Sequence, residues 1–241
     1  MRLLLLSLSL VAWGLPVGVE SSVPARRSES VLLPVAEGAL AELQRAIGST
    51  ATAKPATAAG GQPQEMVFGK TKGSVTETAA GVRVLLSSGK TVQLKNVRVK
   101  NDETSDVTYT YRGSEPKTGL VWVKKSPYEC PTQLLVSRAS GRVTDIGSEP
   151  HLNAAGTLLF ARQNECFVIF DDYYHPGFQL WRVQTGQLQL LKQVRLTNYF
   201  VLDGRWLGPD KLRLELGSME ELMSKGNFKK VRRLPFELTV K

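Results

Sequence analysis

From Met66 onward, apolar residues recur at every second position, the spacing of strands that bury one face. Val82, Val84 and Leu86 alternate with polar neighbours, Ser87 to Lys90 supplies a Gly-containing turn, and Val92 and Leu94 resume the alternation. That pattern predicts a β-hairpin. Val107 to Tyr111 and Leu120 to Val123, either side of a loop from Gly113 to Thr118, predict a further pair of strands rich in β-branched and aromatic residues. Two short segments break the rule. Ala36, Leu40, Leu43 and Ile47 fall at steps of four, three and four, on one face of a short helix starting after Pro34. Such a stripe is expected to dock on the same protein. Met219 to Lys225 is made of good helix formers, and Ser218 with Glu221 three positions later gives a capping-box pattern. A last strand is expected over Leu234 to Val240.

Between these elements the second half of the chain carries an internal repeat. Leu134 to Val143 and Gln179 to Leu188 each read as strand, Gly-containing turn and return strand, with turn glycines Gly141 and Gly186 placed 186 − 141 = 45 positions apart. Each unit continues in the same order. The first passes Pro150 and a turn over Asn153 to Gly156 into Leu158 to Ala161; the second passes Leu202 to Leu207 and a turn over Gly208 to Asp210 into Leu212 to Leu216. The spacing is close to the roughly 40 to 45 residues of propeller blades. Over about residues 109–217 the chain resembles uncharacterised exported bacterial proteins with β-propeller-like (WD40-like) blade repeats. That resemblance implies an all-β fold of antiparallel, propeller-like blades and carries no activity with it. Room for about four blades after residue 66 makes an incomplete or small propeller the expectation, with a β-sandwich as the alternative.

The N-terminus predicts a compartment. Met1 and Arg2 form a positive start, Leu3 to Val11 an apolar stretch interrupted only by serines, and small residues at Ala12, Gly14 and Gly18 to Ser22 offer cleavage positions. Residues 1–22 therefore read as a Sec-type signal peptide, the apolar run being too short for a stable membrane span. No cysteine follows it, which argues against a lipoprotein, and the expected location is periplasmic or secreted. Residues 23–65 read as the short helix followed by an Ala/Pro/Gly-rich linker, Ser49 to Gln64 having almost nothing large to bury. Residues 66–241 read as the β-rich domain. The two cysteines, Cys130 and Cys166, are expected to pair in an oxidising compartment, where closing that loop contributes about 3 to 4 kcal/mol.

Composition narrows the chemistry. Hydrophobic residues at 42% and charged residues at 22% are ordinary for a folded domain, and the formal charge of +9 comes from scattered basic residues. The one dense cluster, Lys229, Lys230, Arg232 and Arg233, alternates with Val231 and reads as a solvated strand face. Interleaved aromatics are lacking, so nucleic acid is not an expected partner. With His151 and His175 the only histidines and no C-x-x-C spacing, no metal site is expected. No cofactor loop, no Gly-x-Ser-x-Gly elbow and no catalytic motif is found.

The densest polar and aromatic stretch, Phe170 to Trp181, supplies the candidate ligand-binding residues Asp171, Asp172, Tyr173, Tyr174, His175 and Trp181. Flat rings with polar tips hold sugar rings, and the paired aspartates offer hard oxygen ligands. The expected function is a non-enzymatic binding module facing an envelope protein or glycan. The competing expectation is a hydrolase acting on envelope polysaccharide through the 170–181 loop.

Overall fold

The computed structural model describes residues 32–57, 61–71, 73–128, 131–163 and 177–241. Helix α1 (Leu32–Ile47) is followed by strands β1 (Ala51–Pro55), β2 (Glu65–Met66), β3 (Val75–Thr78), β4 (Gly81–Leu85) and β5 (Thr91–Lys95). Next come β6 (Val107–Glu115), β7 (Leu120–Pro127), β8 (Thr132–Ser137), β9 (Val143–Asp145), β10 (Pro150–Asn153) and β11 (Leu158–Arg162). Then follow β12 (Gly177–Gln184), β13 (Gln187–Arg195), β14 (Tyr199–Trp206), β15 (Lys211–Ser218), helix α2 (Met219–Lys225) and β16 (Leu234–Val240). Among the described residues the strands form four antiparallel sheets. Sheet I is β3-β4-β5, sheet II is β6-β7-β8-β9, sheet III is β13-β12-β11-β10-β2 and sheet IV is β1-β16-β15-β14. The all-β expectation holds, with α1 as the N-terminal helix.

Each sheet packs on the one before it. Val82 and Val84 of sheet I bury against Tyr111, Val121, Val123 and Val136 of sheet II. Leu120 and Leu135 of sheet II meet Leu152, Leu159 and Trp181 of sheet III. Phe160, Phe178 and Leu180 of sheet III meet Val201, Leu214 and Phe236 of sheet IV. Among the described residues no core cluster joins sheet I to sheet IV.

The repeat read from the sequence has a physical counterpart at its two turn glycines. Gly141 has φ +78°, and a Cβ there would meet the Leu86 side chain of the preceding sheet at 3.0 Å. Gly186 has φ +73°, and its Cβ would lie 2.6 Å from the Thr118 carbonyl oxygen, again of the preceding sheet. Both turns therefore need glycine for the same two reasons, left-handed backbone and close approach to the neighbouring sheet.

The linker expectation needs correction. Ala51–Pro55, inside the stretch read as flexible, pairs along its whole length with β16, from Ala51 opposite Val240 to Pro55 opposite Phe236. Small side chains misled the reading, because Ala51 and Ala53 are themselves buried where a larger residue would crowd α1. The chain passes from α1 into β1 through a single 3-10 turn, Gly48–Thr50. Of the predicted stripe, Leu43 and Ile47 are buried in the core shared by sheets III and IV and Ala36 and Leu40 pack against it half-buried, so the stripe does dock on the same protein; Ala39, outside the predicted stripe, is buried there as well. Pro34 sits in the first turn of α1, where its missing N–H costs nothing. Helix α2 lies where the sequence placed it, and the Glu221 N–H donates to Ser218 Oγ. The Glu221 carboxylate does not close the capping box, since it accepts instead from Lys225 Nζ and the Arg232 N–H. No helix among the described residues is long and apolar enough to cross a membrane.

One extended segment, residues 64–71, ties the sheets together. The Gln64 N–H donates to the Trp206 carbonyl of sheet IV, Met66 pairs with Leu152 of sheet III, and Gly69 exchanges two backbone hydrogen bonds with Ser114 of sheet II. This strap covers what are otherwise the free edges of β10 and β6. Sheet II receives it at a register shift between Tyr111 and Gly113, where a Cβ on Gly113 would sit 2.8 Å from the Phe68 carbonyl oxygen. Beyond Thr71 the same chain enters sheet I.

Candidate functional site

The sequence-derived candidates fall in two places. Asp171, Asp172, Tyr173, Tyr174 and His175 lie outside the described residues, as do Cys130 and Cys166 of the expected disulfide. Trp181 is described, and it is only 7% exposed, packed between sheets II and III with its Nε1–H donating to Gln179 Oε1. A core indole of that kind offers no open face to a sugar ring. The basic cluster is likewise not an alternating strand face. Lys229 and Lys230 belong to a single 3-10 turn, Val231 is buried, and Arg233 pairs with Glu215 of β15. Part of that charge braces the return into β16.

A polar network crosses the strap. Glu65 Oε1 accepts from the Trp206 N–H at 2.7 Å, Glu65 Oε2 lies 3.2 Å from His151 Nδ1, and Trp206 Nε1–H donates to the His151 carbonyl at 2.8 Å. His151 also tilts against Phe160, with ring centroids 5.8 Å apart. The polar atoms named here pair with one another, so the network clamps sheets III and IV to the strap. Among the described residues no group of three or more His, Cys, Asp or Glu side chains is arranged to hold a metal ion.

One opening with ligand chemistry among the described residues lies between sheets I and II. A cleft of about 370 Å³ is lined by Thr71, Gly73, Ser74, Leu85, Ser114, Glu115, Pro116, Gly119 and Arg138. Its size falls within the roughly 300 to 1,000 Å³ of small-molecule sites. The strap supplies Thr71, and its bridge to Ser114 brings two hydroxyls together that stand 43 positions apart in the chain. Thr71 Oγ1 and Ser114 Oγ are hydrogen-bonded to each other, and Ser74 Oγ lies 3.4 Å from Thr71 Oγ1. Behind them the Tyr111 hydroxyl lies 3.0 Å from Ser114 Oγ and accepts from the Thr71 N–H at 3.2 Å. Burial pushes the Tyr111 phenol up, but hydrogen bonds from Ser114 and Thr71, with the charge of Lys70 nearby, outweigh it and hold the phenol below its ordinary range.

Two charged side chains flank the hydroxyls. Glu115 is buried, and its carboxylate accepts from the N–H groups of Lys117 and Thr118 within its own turn. Arg138 follows β8 and is fixed by backbone as well as side chain. Its N–H donates to the Gly119 carbonyl, its carbonyl accepts from the Ser87 N–H, and its Nε–H donates to the Leu85 carbonyl. Sheets I and II thus both hold it. No motif announces this site in the sequence, because strap, bulge and turn converge only through the sheet packing.

Comparison of the chain with known protein families, curated proteins and solved structures finds no match.

Proposed function

We propose that the chain is an exported, non-enzymatic binding module of propeller-like stacked sheets, and that it engages an envelope glycan through the cleft between sheets I and II. The leader-like residues 1–22 support export. The order of sheets I to IV, each packed on its predecessor, and the pairing of the first strand with the last support the blade-like reading.

The observation that carries the function is the composition of the cleft wall. The Ser74 and Thr71 hydroxyls stand beside the apolar faces of Leu85 and Pro116, with the buried Ser114 hydroxyl, bonded to Thr71 and Tyr111, holding Thr71 in place from behind. Saccharides present the same mixture of hydroxyls and C–H faces. Hydrolysis of a glycosidic bond needs a second acid group, and the described lining residues hold one carboxylate, Glu115, whose oxygens already serve backbone donors.

A glycan array probed with the mature chain and with Ser74→Tyr, which fills the cleft from its rim, tests the reading. Glycan retention by the unaltered chain and its loss in the filled variant is expected. Equal retention by both proteins would move the site elsewhere.

A further inference from the structure

We infer that the cleft between sheets I and II selects a carboxylate-bearing saccharide, a uronic acid or a sugar of like chemistry, with Arg138 as the residue that recognises the acid. This rests on the reading of the cleft as a saccharide site. It adds the charge of the ligand.

The electrostatic balance of the wall leads there. Glu115 brings a negative charge, yet it is 4% exposed and turned to the N–H groups of Lys117 and Thr118, which offset it locally. Arg138 has no such partner. Its side chain spends Nε on an uncharged carbonyl, that of Leu85, and it forms no ion pair with a carboxylate of the described residues. A guanidinium held at one edge keeps its remaining N–H groups in a planar fork, the geometry that matches a carboxylate.

Its anchoring also matters. The Arg138 backbone is bonded to Gly119 on sheet II and to Ser87 on sheet I, so the side chain starts from a fixed point and less freedom is lost on binding. The Ser74 and Thr71 hydroxyls line the same cleft, Thr71 being held by its bond to the buried Ser114. Hydroxyl groups there suit the ring hydroxyls of a sugar whose acid is held by Arg138.

The test is a titration of the isotope-labelled full chain with D-glucuronate and, separately, with D-glucose, following the backbone amides of Ser74, Ser114 and Gly119. Glucuronate is expected to bind at least about tenfold more tightly than glucose, the factor a charge-assisted hydrogen bond supplies. Arg138→Gln is expected to remove that preference while keeping the circular dichroism of the unaltered chain, with a somewhat lower unfolding midpoint because the Nε–H bond to the Leu85 carbonyl is lost. Equal shifts from both sugars at these amides overturn the acid preference and leave the saccharide reading standing. Absence of shifts from either sugar overturns both. The comparison of the two sugars on the unaltered chain needs no variant, so it decides the matter even where Arg138→Gln fails to fold.

Discussion

Glu65 and His151, 86 positions apart in the chain, meet with Oε2 3.2 Å from Nδ1, each side chain 22% exposed. The contact fixes a two-residue strand, β2, that has only two paired positions on β10 to hold it. The same carboxylate accepts from the Trp206 N–H, so one side chain joins the strap to sheets III and IV. Short strands depend on such side-chain ties because their ladder is too small to be stable alone.

Removing that carboxylate therefore loosens the centre of the fold. Glu65→Ala leaves the Trp206 N–H without its acceptor and is expected to cost about 1 to 3 kcal/mol, whereas His151→Ala, which leaves the Glu65–Trp206 bond in place, costs less. Urea unfolding midpoints of the two variants give the order directly. A larger loss from His151→Ala would reverse the assignment of the clamp.

The two turn glycines predict an unequal pair. Gly141→Ala and Gly186→Ala place a Cβ on nearly identical backbones, φ +78° and +73°, and both incur about 1 to 2 kcal/mol of left-handed strain. They differ in what the Cβ meets. At Gly141 it meets the end of the Leu86 side chain, which shifts; at Gly186 it meets the Thr118 carbonyl, which belongs to the backbone of sheet II. Thermal unfolding is expected to show the larger loss for Gly186→Ala. Equal losses would mean that the sheets do not press together at the Gly186 turn.

Alkaline pH probes the docking of α1. The Tyr199 hydroxyl donates to the Val35 carbonyl, and burial, followed by the charges of Glu42 and Glu220, pushes its phenol above the ordinary value of 10.0. The folded state therefore favours the neutral form. Its contribution is complete below pH 10, and it is lost as pH rises through the folded value. Stability measured between pH 9 and pH 11 is expected to fall more in the unaltered chain than in Tyr199→Phe, which has no proton to lose. Parallel decline in both would remove Tyr199 from the account.

Much of the framework was legible in the residues. The alternation of Val82, Val84 and Leu86 marked a hairpin because one face is buried and the other wet, and β4 and β5 follow it. Gly141 and Gly186 marked equivalent turns because a left-handed backbone close to a neighbouring sheet favours glycine at both. Helix α2 and strand β16 were visible from Ser218 and from the run over Leu234–Val240.

Other parts carried no local signal. Strand β1 is written in alanine, threonine, lysine and proline, and only its partner β16 makes it a strand. The cleft depends on Thr71, Ser114 and Arg138, which share no motif and meet through a bulge and a strap. Trp181 looked like a surface aromatic from its neighbours, yet its alternation along β12 points it into the core.

The claim on which the architecture turns is that residues 32–55 complete sheet IV and its core. Chemical unfolding of a chain beginning at residue 32, compared with one beginning at residue 57, tests it most directly. Loss of Leu43, Ile47 and the whole β1–β16 ladder is expected to lower stability by more than about 5 kcal/mol, comparable to the total stability of many domains, and to abolish a cooperative transition. Equal midpoints with equal cooperativity would contradict it, and would return residues 32–55 to the status of a tether.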